Sequence, residues 1–303
     1  MDLWTPLTRN LKLMGFAALL LAFVLLYAHF YDMLRMTEPD LDWISDPANA
    51  LELRWRMLWG LSTIALILVT VINGVVAAAI ITRNPFGPAA YVPMFAAVAA
   101  LVVWVVRQSG SQDFGGGASD AVLRHYSAVR AIPVNDVVEM MVPLSGAVAV
   151  LVIMAAVCLL LVRGRMDADT LVVRYRDFRH LLGASTAMLV TGVLQTYFLF
   201  RMATSTVASH EAAPVIAGTL TTGGSTAYTV MLLLIFGPIA YALNRWSWDA
   251  AHQVTGSRDE QTLREWLEHL GIYNSPTRVL SQALLASAPA MVGLALNLIP
   301  KIV

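Results

Sequence analysis

Seven apolar segments, none containing Asp, Glu, Lys or Arg, constrain this chain more than any other feature. They cover residues 13–31, 57–82, 89–106, 140–162, 181–200, 227–243 and 279–299, and His29 is the one readily ionisable side chain inside them. An uncharged apolar run of about 18 or more residues is long enough to cross a bilayer as a helix. The expected fold is all-α: a polytopic helical membrane protein with six firm transmembrane helices. A seventh apolar helix, over 279–300, either spans the bilayer or lies in its plane.

Charged residues make up 13% of the 303 residues, against about 25% in a soluble domain. Between the segments, no stretch exceeds about 35 residues, too short for a hydrophobic core of its own. A single integral membrane domain over 1–303 follows, with a cytoplasmic amphipathic linker over 244–278. Net charge is zero, which argues against a nucleic-acid partner. The single cysteine, Cys158, excludes an intramolecular disulfide and a cysteine-cluster metal site. The first segment lacks a small-residue cleavage pattern at its end and reads as a retained anchor.

Lys and Arg set orientation. With six spans, twelve basic residues fall on one side and seven on the other, placing the amino terminus in the cytoplasm, most simply of the cell (inner) membrane. The sequence 83–88, with two prolines and a glycine, reads as a tight turn. Asp46-Pro47 starts a helix ten residues before the membrane. Residues 32–56, 107–139 and 201–226 read as outer connections, with Gly115–Gly117 a flexible start to the second. Val122, Tyr126 and Val129 align at helical spacing outside. Inside, Ser257 to Glu260 reads as a capping box, followed by an apolar face of Leu263, Trp266, Leu267 and Leu270, with Gly271 as C-cap. Small pairs at Gly74/Ala78, Ala96/Ala100, Ser145/Ala149 and Gly183/Ala187 suit close helix packing.

Candidate functional residues form five groups. In the seventh segment, Gln282, Ala286, Pro289, Gly293 and Asn297 share one side. This small, uncharged polar stripe faces a pore or, more simply, a neighbouring helix, and Pro289 is placed to bend it. Thr191 and Gln195, one turn apart, can bond to neighbouring helices. His29, Asp32 and Arg35 share a face at the outer end of the first helix, as an ion relay or an interfacial salt-bridged cluster, beside an acidic loop of Glu38, Asp40, Asp42 and Asp46. Arg174, Arg176, Arg179 and His180 form a basic juxtamembrane face. With Trp266 they are candidates for coupling to a cytoplasmic partner, or for attraction to anionic headgroups. The Thr/Gly-rich run 219–229 reads as a glycine turn with a Ser/Thr cap, or as a filter-like loop.

No GxSxG, HExxH, Walker or GxGxxG motif is present, and the six histidines are scattered, so neither catalysis nor a cofactor is expected. Absent buried carboxylates also argue against proton- or sodium-coupled pumping. The expected function is an oligomeric channel or pore, homo-oligomeric and gated by a cytoplasmic partner. An uncoupled small-solute transporter and a non-conducting scaffold or anchoring subunit of a signalling or stress-response assembly are the alternatives.

Overall fold

The computed structural model describes residues 47–83, 96, 100, 116–130, 134–161, 167–205, 212–273 and 276–298. The segments 13–31 and 89–106, the cluster His29, Asp32 and Arg35, the acidic loop and the 84–88 turn therefore lie outside or almost wholly outside the described residues. Every regular element among those described is an α-helix: α1 Pro47–Arg83, α2 Gly116–Arg130, α3 Val134–Leu160, α4 Ala168–Thr204, α5 Ala212–Thr255, α6 Glu260–His269 and α7 Pro276–Leu298. Four of them carry stretches long and apolar enough to cross a membrane: Asn49–Arg83, Ala168–Thr204, Val215–Thr255 and Val279–Leu298. Leu144–Leu160 is a shorter apolar stretch. The protein is thus a helical membrane protein; among the described residues, three of the six expected firm spans and the seventh apolar helix are long and apolar enough to cross, the fourth segment gives the shorter stretch, and the first and third lie outside the described residues.

Helices α1 and α4 run antiparallel, tied at both ends. Arg83 meets Asp177 at 3.1 Å, and the Arg201 guanidinium lies 4.8 Å from the Trp55 ring centroid. Between the ties α4 advances 24 residues, about 36 Å at 1.5 Å per residue, which matches a hydrocarbon core plus its margins. Gly74 lets α3 approach α1, because a Cβ there would stand 3.3 Å from Val148 Cγ2. Gly183 has open space around it, so that small pair is not a packing seam among the described residues. Leu66, Ile67, Val148, Val152, Leu181, Leu232, Phe236 and Ile239 contribute to one core shared by α1, α3, α4 and α5.

The largest departure from the sequence expectation is α5. Its 44 residues run unbroken through 219–229, so the expected glycine turn or filter-like loop is part of a helix. The reason is that backbone groups in an apolar surrounding must bond within their own segment. The hydroxyls also turn inward: Thr219 donates to Val215 O at 2.8 Å, Thr221 to Ala217 O at 2.7 Å and Thr226 to Thr222 O at 2.9 Å. Residues 212–244 consequently form a charge-free helix of about 33 residues, longer than the apolar segment 227–243 alone.

Two other boundaries move. Gly116 and Gly117 open α2 rather than a linker. Helix α2 buries Leu123 and Tyr126, while Val129 faces solvent. The N-cap of α6 is Asp259, not Ser257: its carboxylate accepts from Thr262 N at 3.0 Å and Thr262 Oγ1 at 2.7 Å. Two bonds from one residue outcompete the single bond a serine offers. Gly271 ends the helix as expected, at φ 67°. Leu263 and Leu267 are buried against the bundle, so α6 docks on its own chain.

Candidate functional site

The seventh-segment stripe is a packing seam. Helix α7 runs antiparallel to α5: Asn297 lies against Gly218 and Thr222, Gly293 against Ser225, and Ala290 against Thr229. Asn297 Nδ2 donates to Thr222 Oγ1 at 2.7 Å and Gly218 O at 3.3 Å. A Cβ added at Gly293 would overlap the Ser225 side chain, and one at Gly218 the Asn297 amide. Pro289 is buried, and the neighbouring Ala290 N donates to Thr229 Oγ1 at 3.1 Å. A threonine from the next helix thus bonds the backbone beside a proline-interrupted ladder. Ala286 is buried too, and Gln282 is half-buried at the other end. The stripe and α5's Thr/Gly run, two features that the sequence offers separately, are two faces of one contact.

Thr191 does not reach a neighbour; its hydroxyl returns to Ala187 O at 2.7 Å. Gln195 is buried in α4. The polar link between α1 and α4 is made elsewhere. Asn73 accepts from Ser185 Oγ at 3.3 Å and its amide meets Met188 Sδ at 3.4 Å. Thr70 and Thr186 are fully or almost fully buried at the same level, and no hydrogen-bond partner is present for either hydroxyl. This mid-helix polar cluster was hidden in an uncharged apolar run, where a single Asn is the only signal.

The start of α1 and the end of α2 hold a buried charged network. Glu52, 1% exposed, accepts from Arg56 at 2.7 Å, Arg130 at 2.5 Å and the Tyr126 hydroxyl at 2.8 Å. Arg130 also donates to Asn49 Oδ1 at 3.2 Å. Burial pushes the Tyr126 hydroxyl well above the usual phenol range, against the pull of Arg56. These contacts clamp α2 to the start of α1. Sequence order gives little hint of them, since Tyr126 and Arg130 lie more than 70 residues from Glu52.

In the first turns of α4 the four basic residues separate. Arg174 turns inward and donates to the carbonyls of Cys158, Leu159 and, at 2.7 Å, Leu161. It satisfies carbonyls that the end of α3 leaves open, as a structural cap. Arg176, Arg179 and His180 remain exposed. They border a cleft of about 200 Å³, with Val172, Tyr175, Leu270, Gly271 and Ile272 as its other walls. Trp266 packs partly buried against the core, supporting α6 from beneath.

Among the described residues no group of three His, Cys, Asp or Glu side chains is placed to hold a metal ion. No protein-family model, curated protein or solved structure matches the chain.

Proposed function

We propose that this chain is a non-catalytic integral membrane protein acting as an oligomeric channel or pore, with the conduction path between subunits. One observation carries the reading. The buried side of α5 packs on α4 and α7, yet its opposite side, Val215, Thr219, Gly223, Thr226, Val230, Leu234, Gly237 and Tyr241, is exposed along one helical face. The outer half of that face is small and uncharged-polar, inside a charge-free helix. A second copy meeting it would bring threonine hydroxyls and a glycine to a shared axis, in keeping with pores lined by uncharged polar groups.

In this proposal the six expected spans are completed by 13–31 and 89–106, and α7 crosses beside α5 as a seventh. The amino terminus is cytoplasmic, in the cell (inner) membrane, and α6 with the basic end of α4 faces the cytoplasm, where a partner protein gates the assembly. The test is reconstitution of the purified protein with oligomer mass and conductance measured together. Thr226→Cys, in a Cys158→Ser background, is expected to let a thiol reagent block conductance. A monomer without conductance refutes the reading. A non-conducting oligomer favours the scaffold reading, for which the internal bonding of the Asn297 and Thr191 side chains speaks.

A further inference from the structure

We infer that the cleft between α4 and the end of α6 is a binding site for the phosphate headgroup of an anionic phospholipid. Its depth is fixed by the helices around it. Tyr175 Oη meets Ser247 Oγ at 3.3 Å, so this level of α4 is that of Trp246 and Trp248 on α5. Tryptophans of this kind mark the headgroup layer. The charge-free run of α4 begins at Leu181. Arg179 lies about 3 Å and Arg176 about 7 Å from that point along the axis, within the headgroup layer.

The electrostatics point the same way. Arg176, Arg179 and His180 line the cleft, and among the described residues no carboxylate does. Three acids close to it in sequence are engaged or set back. Asp177 turns to the far side and pairs with Arg83, and Glu268 pairs with Arg264 at 3.0 Å. Asp169, on the same face as Arg176, sits two turns away, about 10 Å farther from the charge-free run. Arg179 is held in position by Gly271 O at 3.4 Å and by the Tyr175 ring, 6.0 Å from its guanidinium. A guanidinium fixed in this way keeps its positive charge at the cleft wall, and the exposed Arg176 beside it offers the planar donor fork that suits a tetrahedral oxyanion. Val172, Leu270 and Ile272 supply an apolar floor for the glycerol end of the headgroup. Arg174, capping α3, takes no part.

The experiment uses the full-length protein in detergent, with bound lipid counted by native mass spectrometry against phosphatidylglycerol and phosphatidylcholine. The wild type is expected to prefer phosphatidylglycerol. Arg176→Gln, at an exposed position, is expected to weaken that preference about 5-fold, and Arg176→Gln with Arg179→Gln about 30-fold, as each juxtamembrane arginine contributes independently. Arg179→Lys, which keeps the charge, tests whether the double variant fails through misfolding, and is expected to retain most of the preference. Arg258→Gln, an exposed arginine away from the cleft, is the control and is expected to change nothing. Inorganic phosphate at millimolar concentration is expected not to displace the lipid. An unchanged preference in the double variant overturns the inference, as does an equal loss in Arg258→Gln. Displacement by free phosphate would make this a soluble-anion site, and no preference over phosphatidylcholine would leave the cleft to a protein; either result overturns it.

Discussion

Replacing Glu52 by Gln removes one negative charge from a site where almost no water can replace it. Glu52 is 1% and Arg56 3% exposed, and the Arg56 bond is 2.7 Å. The Arg130 side chain is 25% exposed, so water screens its share. Breaking a buried pair by neutralising one partner costs about 3–5 kcal/mol, and the partly exposed Arg130 pulls the expectation to the lower end, about 3 kcal/mol. That corresponds to a fall on the order of 10 °C in the unfolding midpoint of a domain this size. Thermal unfolding in detergent, followed by tryptophan fluorescence, measures the fall. Limited proteolysis within Gly116–Arg130 reports whether α2 detaches first. Glu52→Gln combined with Arg56→Gln removes the pair together and is expected to recover at least half of the loss. A midpoint change below about 2 °C for Glu52→Gln, or a double variant worse than the single by the full cost of a second charge, would refute the argument that this carboxylate holds α2 to α1.

Other consequences are equally direct. Asn297→Leu loses the bonds to Thr222 and Gly218 and is expected to weaken the α5–α7 contact by about 1 kcal/mol, the scale of polar contacts between helices in membranes, read as faster labelling of a cysteine placed at Leu296. Gly293→Ala is expected to cost about 1–3 kcal/mol by overpacking, with Ser225→Gly restoring most of it; no restoration means the two residues do not touch. Hydrogen bonds from Thr262 hold the Asp259 carboxyl below its ordinary value, so the cap stabilises α6 above that value and is lost only as pH falls through the depressed one. The protection of Glu260–His269 amides relative to their intrinsic exchange is therefore expected to be flat from pH 7 to about pH 4 and to fall below it; loss of protection already near pH 6 contradicts the assignment. Arg174→Ala is expected to fray the end of α3 and cost about 1–3 kcal/mol, since each orphaned carbonyl loses a charged donor.

The bilayer character of this chain is legible because it depends on what is missing, and absence of charge needs no partner to be read. Helix α6 is legible for a related reason: Leu263, Leu267 and Gly271 are spaced by the helix itself. The run 219–229 misleads because threonine and glycine are poor helix formers in water, whereas lipid removes the competing bonds that make them so. The Gln282–Asn297 stripe is visible in sequence, but its partner is not, since only the fold puts Gly218 and Ser225 opposite it. Glu52 and Asn73 are the least visible. Glu52 sits in an ordinary charged stretch before the membrane, and its meaning comes from Tyr126 and Arg130. Asn73 is a single amide in a long apolar helix, and its meaning comes from Ser185.

Arg174 has one more implication, for the order in which the chain is assembled. The carbonyls it secures belong to residues 13 to 16 positions upstream, so the end of α3 is completed by the first turns of α4. A contact of such short range costs little loop entropy and forms early. During synthesis the end of α3 would stay ragged until α4 has emerged far enough to present that guanidinium. The two helices then fold as one unit, the later completing the earlier.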